Sequence, residues 1–127
     1  MLIATDRILL PSHPDFVAGW VEIDGEAIIS AGPGWPLRRP DEVLNLALTP
    51  GYVDVHCHGG GGAAFATDDP SDVDTAIAAH RAAGTTSVAS LITASIQDLH
   101  SQVALLAGRV RDDDLAGIHL EGPMAGA

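Results

Sequence analysis

The hydrophobic pattern of this chain changes near residue 50. Before that point, short runs rich in β-branched residues are separated by clusters of Gly, Pro, Asp and Ser, a pattern typical of strands joined by turns. The dipeptide Asp24-Gly25 lies between two such runs and predicts a hairpin. Because this portion is too small to enclose a good core, it is predicted to pack against a later part of the protein. Its strands are predicted over residues 2–10, 16–23, 27–30 and 43–48.

After residue 50, predicted strands alternate with predicted helices. Asp69-Pro70 is typical of a helix start, with Asp as the N-cap, and Gly84 is typical of a helix end. Ser95 and Asp98 resemble a capping box that opens a second helix. Strands alternating with helices of this length predict right-handed crossovers and a parallel sheet, which is an α/β fold. The strands are predicted over residues 52–57, 85–93 and 115–120.

The second predicted helix carries a single apolar stripe. Its members recur at helical spacing, so they fall on one face of the helix, and that face is predicted to lie on the sheet. The stripe consists of Ile96, Leu99, Val103, Leu106 and Val110.

The polar residues of the first parallel strand form a pattern typical of metal ligands. Apolar and polar residues alternate along 52–57, so Asp54, His56 and His58 are predicted to share one face. Two imidazoles on one face could reach the same metal ion, because imidazole suits zinc, iron and similar metals. From spacing alone, ordinary polar residues at a strand end are an equally good interpretation.

A carboxylate is predicted to reach the same place. Glu121 follows the third predicted strand, and groups at the C-terminal ends of parallel strands gather at one edge of the sheet. It could therefore reach a metal held by His56 and His58, although a lone glutamate there is more often a loop carboxylate. His119 would share the face of Glu121 and is interpreted as an interior histidine with its hydrogen bonds satisfied.

Three neighbouring features have simpler interpretations. Cys57 would point to the helix side of the sheet and is interpreted as a packing residue, not as a ligand or nucleophile. The four glycines at 59–62 lack the Lys-Ser/Thr ending of a P-loop and are interpreted as an active-site loop. His80 lies near the end of the first helix, where the dipole favours positive charge, and is assigned no chemistry.

Composition and charge argue against several classes of protein. The formal net charge of −11 argues against nucleic acid as a partner, because nucleic-acid binding needs a basic patch. The sequence has no apolar run long enough for a membrane span and no signal-peptide pattern at its start. A single cysteine excludes an internal disulfide. Together these features predict a cytoplasmic protein without membrane or nucleic-acid partners.

Four segments resemble the amidohydrolase superfamily and, within it, the N-acetylglucosamine-6-phosphate deacetylases. His-x-His in the first segment indicates the superfamily, and His-Leu-Glu-Gly-Pro in the last indicates the deacetylases. The resemblance implies a TIM-type (β/α)8 barrel of which residues 50–127 supply the first three β/α units, the barrel being incomplete in this chain. It also implies that residues 1–49 are part of a small β-sandwich. The four segments are 48–59, 82–86, 91–95 and 119–123.

By the same resemblance, His56, His58 and Glu121 hold one or two divalent metal ions, zinc or iron. Asp54 is a candidate for orienting one of these ligands, although a structural hydrogen bond is an equally good interpretation. The implied reaction is deacetylation of N-acetylglucosamine 6-phosphate to glucosamine 6-phosphate and acetate, with the metal polarising the acetamide carbonyl and activating water. The implied partner is this amino-sugar phosphate, and the complete enzyme is expected to be a homodimer.

The resemblance places several required residues beyond the end of this sequence. The acid/base aspartate and two further histidines would follow residue 127, so no catalytic residue is expected within the chain. Residues 124–127 also depart from the family pattern. The chain alone is therefore predicted to be unstable or self-associating and to lack turnover, because open sheet edges invite pairing. The alternatives are another amidohydrolase, such as a cyclic amidase or dipeptidase, and a non-catalytic truncated interaction module.

Overall fold

The chain consists of two units, one spanning Met1–Pro50 and one beginning at Gly51. The structure is a computed structural model that describes residues 1–92 and 95–121, with the side chains at 86–92 not described. Parts of two segments that resemble the deacetylases, Thr93-Ala94 and Gly122-Pro123, lie outside the described residues. So do residues 124–127, which were predicted to depart from the family pattern.

The first unit contains a four-stranded mixed sheet in the order β3-β2-β1-β4. Neighbouring strands are antiparallel except for β1 and β4, which are parallel. The predicted hairpin is confirmed, with Asp24 paired to Ala27 across Gly25-Glu26. The strands are β1 Leu2–Ile8, β2 Val17–Asp24, β3 Ala27–Pro33 and β4 Glu42–Leu44.

The last strand of this unit is shorter than the sequence predicts. The run 43–48 was predicted to be one strand, but β4 ends at Leu44, and Leu48 forms only an isolated bridge with Ile8. Between them, the carbonyl of Leu46 accepts a hydrogen bond from the buried Thr5 hydroxyl at 2.7 Å. A side chain therefore satisfies the backbone where the ladder is interrupted.

The second unit contains a three-stranded parallel sheet in the order β5-β8-β9. The helices α1 and α2 connect successive strands, as the predicted crossovers require. An additional two-stranded hairpin, β6 and β7, follows β5 directly. The elements are β5 Tyr52–Cys57, β6 Gly59–Gly60, β7 Ala63–Ala64, α1 Pro70–Ala82, β8 Thr85–Ile92, α2 Ile96–Arg111 and β9 Gly117–Leu120. The α/β class and the parallel sheet are therefore confirmed.

The helix starts that the sequence predicts are present. The Asp69 carboxylate accepts a hydrogen bond from the Ser71 backbone N–H at 2.8 Å, with Pro70 at the first helical position. In α2 the Ser95 hydroxyl accepts from the Asp98 N–H and donates to the Asp98 carboxylate. Neither α1 nor α2 is long and apolar enough to cross a membrane.

The core of the second unit lies between the helices and the sheet. Of the predicted stripe, Leu106 is fully buried, and Leu99, Val103 and Val110 are partly buried against the core. Ile96 was predicted to belong to this stripe but is 65% exposed, because it is the first residue of α2 and lies outside the core cluster. The cluster consists of Cys57, Phe65, Val73, Ala76, Ile77, Leu106 and Leu115.

The four glycines at 59–62, just after β5, form a tight hairpin packed on α1. Gly59 and Gly60 pair with Ala64 and Ala63, and the turn residues between them both have positive φ. A Cβ on Gly59 would lie 2.1 Å from the Ala63 carbonyl oxygen, so no larger residue fits there without a shift of the backbone. This packing accounts for the glycines, so a bound phosphate is not needed to explain them.

The contacts of Asp69 at the start of α1 predict how the stability of the fold changes in acid. The hydrogen bonds from the Ser71 N–H and hydroxyl lower the pKa of the Asp69 carboxyl below 3.8, its value when unfolded. Its stabilising contribution is therefore present above pH 3.8 and is lost as the pH falls through the lowered pKa. In Asp69→Asn, which keeps an acceptor but has no charge, this part of the pH dependence should disappear.

The measurement is urea unfolding followed by circular dichroism at neutral pH and at several values below pH 3.8. Asp15→Asn, at an exposed position in the first unit, is the matched control and should retain the wild-type pH dependence. An Asp69→Asn profile parallel to that of wild type would contradict the assignment.

Candidate metal centre

The three predicted metal ligands come from the C-terminal ends of two strands. His56 lies in β5, His58 follows the last residue of that strand, and Glu121 follows the last residue of β9. The two strands do not pair, because β8 lies between them. All three strands are parallel, so their C-terminal ends lie at the same edge of the sheet. The side chains therefore meet above β8.

The structure brings these three side chains within reach of one ion. One donor atom from each of His56, His58 and Glu121 lies within 4.8 Å of the other two. His58 Nε2 lies 3.6 Å from Glu121 Oε2. The rings of His56 and His58 are 5.6 Å apart and inclined at 78°. All three residues are exposed, so the cluster is open on the solvent side.

This donor set fits a divalent transition metal. Two imidazole nitrogens and one carboxylate oxygen form the His₂Glu set found at catalytic zinc sites, and two histidines with a carboxylate also suit iron. Three protein ligands leave at least one coordination position for water or substrate. His119 adds a third imidazole nearby, with its ring 6.0 Å from that of His56 and at 87° to it. The set has the composition of a catalytic site and not of a closed structural one.

Asp54 differs from its predicted position. The prediction that it shares a face with His56 and His58 assumed a regular strand. The register shows one extra β5 residue between Asp54 and Cys57 relative to β8, which is a bulge that interrupts the alternation. The carboxylate of Asp54 consequently groups with Cys57 and His80, whose donor atoms lie within 4.8 Å of it.

The side chain of Asp54 still contacts His56, through the backbone of that residue. Its Oδ1 accepts a hydrogen bond from the backbone N–H of His56 at 3.0 Å. This bond fixes the peptide that carries His56 at the bulge, where the β5–β8 ladder is interrupted. Asp54 can therefore orient His56 without touching its ring.

His80 has contacts that the sequence did not indicate. Its Nε2 lies 3.1 Å from the Gly59 carbonyl oxygen, and its ring stacks on Phe65 at a centroid distance of 6.5 Å and an angle of 15°. Its side chain is 18% exposed, so it is mostly withdrawn from solvent. A histidine near a helix end gives no sequence signal for this, because the contact depends on where the glycine hairpin folds back.

Cys57 is buried, as its interpretation as a packing residue requires. Burial, with a smaller contribution from the Asp54 carboxylate, raises the pKa of the Cys57 thiol to about 11. Without a bound cation the thiol is therefore protonated at neutral pH and is a poor nucleophile.

Comparison with known proteins finds nine similar chains among solved structures. No protein-family model matches the chain, and neither does any curated protein. An N-acetyl-D-glucosamine-6-phosphate deacetylase from Mycobacterium smegmatis is 38% identical with a TM-score of 0.89, over 97% of this chain and 35% of its own. The chain resembles the N-terminal third of this deacetylase.

A second structure supports the same resemblance. It is an aspartate-to-alanine mutant of the Mycobacterium smegmatis deacetylase in complex with N-acetyl-D-glucosamine-6-phosphate, 39% identical to this chain with a TM-score of 0.87. It covers 97% of this chain, which spans 32% of the mutant's length. The resemblance to N-acetylglucosamine-6-phosphate deacetylase read from the four sequence segments is therefore confirmed for its N-terminal portion.

The cluster generates a prediction about cation binding. In a zinc titration followed by calorimetry, the binding step that belongs to this cluster should weaken at least about tenfold in His56→Ala, His58→Ala and Glu121→Gln, because each variant removes one donor atom. His100→Ala is the matched control, since His100 is exposed and outside the cluster, and should bind as wild type does. Equal affinity in all four variants would exclude the cluster as the site.

Proposed function

We propose that this chain supplies the first part of the barrel and the first metal ligands of an enzyme that deacetylates N-acetylglucosamine 6-phosphate. The observation that carries the proposal is the convergence of His56, His58 and Glu121 in a chain that aligns over 97% of its length with such deacetylases. The chain spans about a third of the length of those enzymes. The activity is therefore assigned to the complete protein that contains these residues.

The proposed ligands have distinct roles in the reaction. A divalent zinc or iron ion in this cluster would act as a Lewis acid on the acetamide carbonyl and would lower the pKa of bound water. His56 and His58 contribute neutral nitrogen donors, and Glu121 contributes negative charge that offsets the charge of the ion. The Asp54 carboxylate holds the peptide of His56 by its 3.0 Å hydrogen bond and so limits movement of that ligand.

The open side of the cluster is the proposed entry for the substrate. In this chain the side chains of His58 and Glu121 are 57% and 46% exposed, so their donor atoms are accessible. The mutant neighbour binds N-acetylglucosamine 6-phosphate, which supports this amino-sugar phosphate as the substrate here. The proton-transferring aspartate and the phosphate contacts are assigned to parts of the complete protein outside these 127 residues.

The domain organisation forms part of the same proposal. Residues 50–127 are proposed to be the first three β/α units of a (β/α)8 barrel, and residues 1–49 part of a small β-sandwich. The support is the parallel sheet β5-β8-β9 with its helical crossovers, and the separate four-stranded sheet before it. The dimeric state and the cytoplasmic location of the complete enzyme stay predictions.

The function is tested with the product of the complete reading frame that includes this sequence. It should release acetate from N-acetylglucosamine 6-phosphate, and His58→Ala should reduce kcat/KM at least about a hundredfold, since one ligand and its orientation are lost. His100→Ala should keep wild-type activity. Hydrolysis of dihydro-orotate or a dipeptide in place of the sugar phosphate would assign the protein to another amidohydrolase group, and hydrolysis of none of them would reject the enzyme assignment.

A second prediction concerns the 127-residue chain by itself. In the described part of the chain, β5 and β9 form the edges of the parallel sheet, and β5 exposes Tyr52, Val53 and Val55 by 66%, 64% and 68%. Exposed apolar edge strands pair readily with other strands. The isolated chain should therefore self-associate and show no deacetylase turnover.

Sedimentation velocity over a range of concentrations tests this. Val53→Lys and Val55→Lys together should shift the chain toward monomer, because charge on an edge strand opposes pairing. A wild-type chain that stays monomeric at all concentrations, or that turns over the sugar phosphate, would contradict the prediction.

A further inference from the structure

A second group of metal-binding side chains lies on the helix side of β5. Asp54 and Cys57 from that strand and His80 from α1 each offer a donor atom, and these three atoms lie within 4.8 Å of one another. Cys57 is 9% exposed and the His80 side chain 18% exposed, so the group is much less open than the cluster of His56, His58 and Glu121. It contains both a thiol and an imidazole, which acidic surface clusters lack.

The hydrogen bond of His80 determines which ring nitrogen is available. A carbonyl oxygen can only accept a hydrogen bond, so Nε2 of His80 carries the proton that is donated to the Gly59 oxygen at 3.1 Å. In the neutral ring, Nδ1 then has a lone pair, and its neighbour is Asp54 Oδ2 at 3.9 Å. A histidine that binds a metal through one nitrogen usually donates the other N–H to a carbonyl or carboxylate in this way. Stacking on Phe65 holds the ring plane.

The separation of the donors suits a cation between them. At 3.9 Å, Nδ1 and Oδ2 are farther apart than the roughly 2.7–2.9 Å of a charge-assisted hydrogen bond. Zn–N and Zn–O bonds of about 2.0–2.1 Å at tetrahedral angles put the two donor atoms about 3.4 Å apart. For this pair of atoms, a shift of about half an ångström would therefore reach zinc geometry. The other carboxylate oxygen, Oδ1, is already fixed by the backbone N–H of His56.

The kinds of donor atom in this group determine which class of metal ion can bind. Thiolate sulfur with imidazole nitrogen and one carboxylate oxygen suits zinc and similar borderline ions. Magnesium and calcium are excluded because they take oxygen ligands. Three protein donors in a mostly buried place leave one position for water.

We propose that Asp54, Cys57 and His80 form a transition-metal site of their own, which takes Zn²⁺ and links the bulge of β5 to the C-terminal part of α1. On binding, the S–H bond of Cys57 breaks, its proton passes to the buffer, and a bond forms between Sγ and the ion. No electron transfer is involved. The site holds the strand that carries His56 and the hairpin that begins at Gly59, and it requires no deacetylase activity.

Cobalt substitution tests the site directly. Cys57 is the single cysteine of the chain, so any thiolate-to-cobalt charge-transfer absorption in the near ultraviolet can come only from it. Titration with Co²⁺ of the 127-residue chain, after circular dichroism has shown that its helices are formed, should produce this absorption, and Zn²⁺ should abolish it by displacement. Absence of the band in wild type at saturating Co²⁺ would overturn the proposal without reference to any variant.

Variants distinguish this site from the neighbouring cluster. Cys57→Ser should abolish the charge-transfer band. His80→Gln, whose amide N–H can still bond the Gly59 oxygen, and Asp54→Asn should each weaken the cobalt affinity read from that band at least about tenfold. The double variant His56→Ala/His58→Ala should retain the band, because neither imidazole belongs to the proposed site.

Two outcomes contradict the assignment. Unchanged affinity in both His80→Gln and Asp54→Asn would show that Cys57 binds cobalt with other partners. Loss of the band in the His56→Ala/His58→Ala variant, with unchanged circular dichroism, would show that Cys57 belongs to the other cluster. If the band is present in a protein that lacks deacetylase activity, the second metal site stands although the function proposed above fails.

Discussion

The parallel pairing of β5, β8 and β9 is the constraint on which the rest of the second unit depends. Parallel strands end at a common edge, and crossover helices must return the chain to the opposite edge before each new strand. Residues separated by more than 60 positions, His58 and Glu121, thereby approach to 3.6 Å. No local sequence feature joins them. The candidate metal centre is a consequence of strand direction and strand order.

The same constraint explains on which side of β5 each polar side chain lies. At the edge beyond the strand end, the side chains of His56, His58 and Glu121 are exposed. The bulge between Asp54 and Cys57 turns the Asp54 carboxylate toward α1 and its His80. The peptide N–H of His56 connects the two groups, because it bonds the Asp54 carboxylate. Two chemically different donor sets can thus share one short strand.

Much of this arrangement could be predicted from the sequence because its signals are local. The Asp69-Pro70 and Ser95-Asp98 caps, the Asp24-Gly25 hairpin and the alternation of strand and helix each depend on a few neighbouring residues. The convergence of the two histidines with the glutamate follows from the general geometry of parallel sheets. The bulge was not predictable, since nothing in 54–57 indicates where an extra residue enters the ladder. The position of His80 was not predictable either, because it depends on the glycine hairpin packing against α1.

The central claim is that the ends of β5 and β9 bring His56, His58 and Glu121 around one divalent cation. Anomalous diffraction from crystals grown with zinc, recorded on both sides of the zinc absorption edge, tests it most directly. A zinc peak is expected at about 2.0–2.2 Å from a nitrogen of each imidazole and from a Glu121 carboxylate oxygen. Crystals in which the Glu121 carboxylate lies away from both imidazoles, with zinc absent from the His56 and His58 rings, would contradict it.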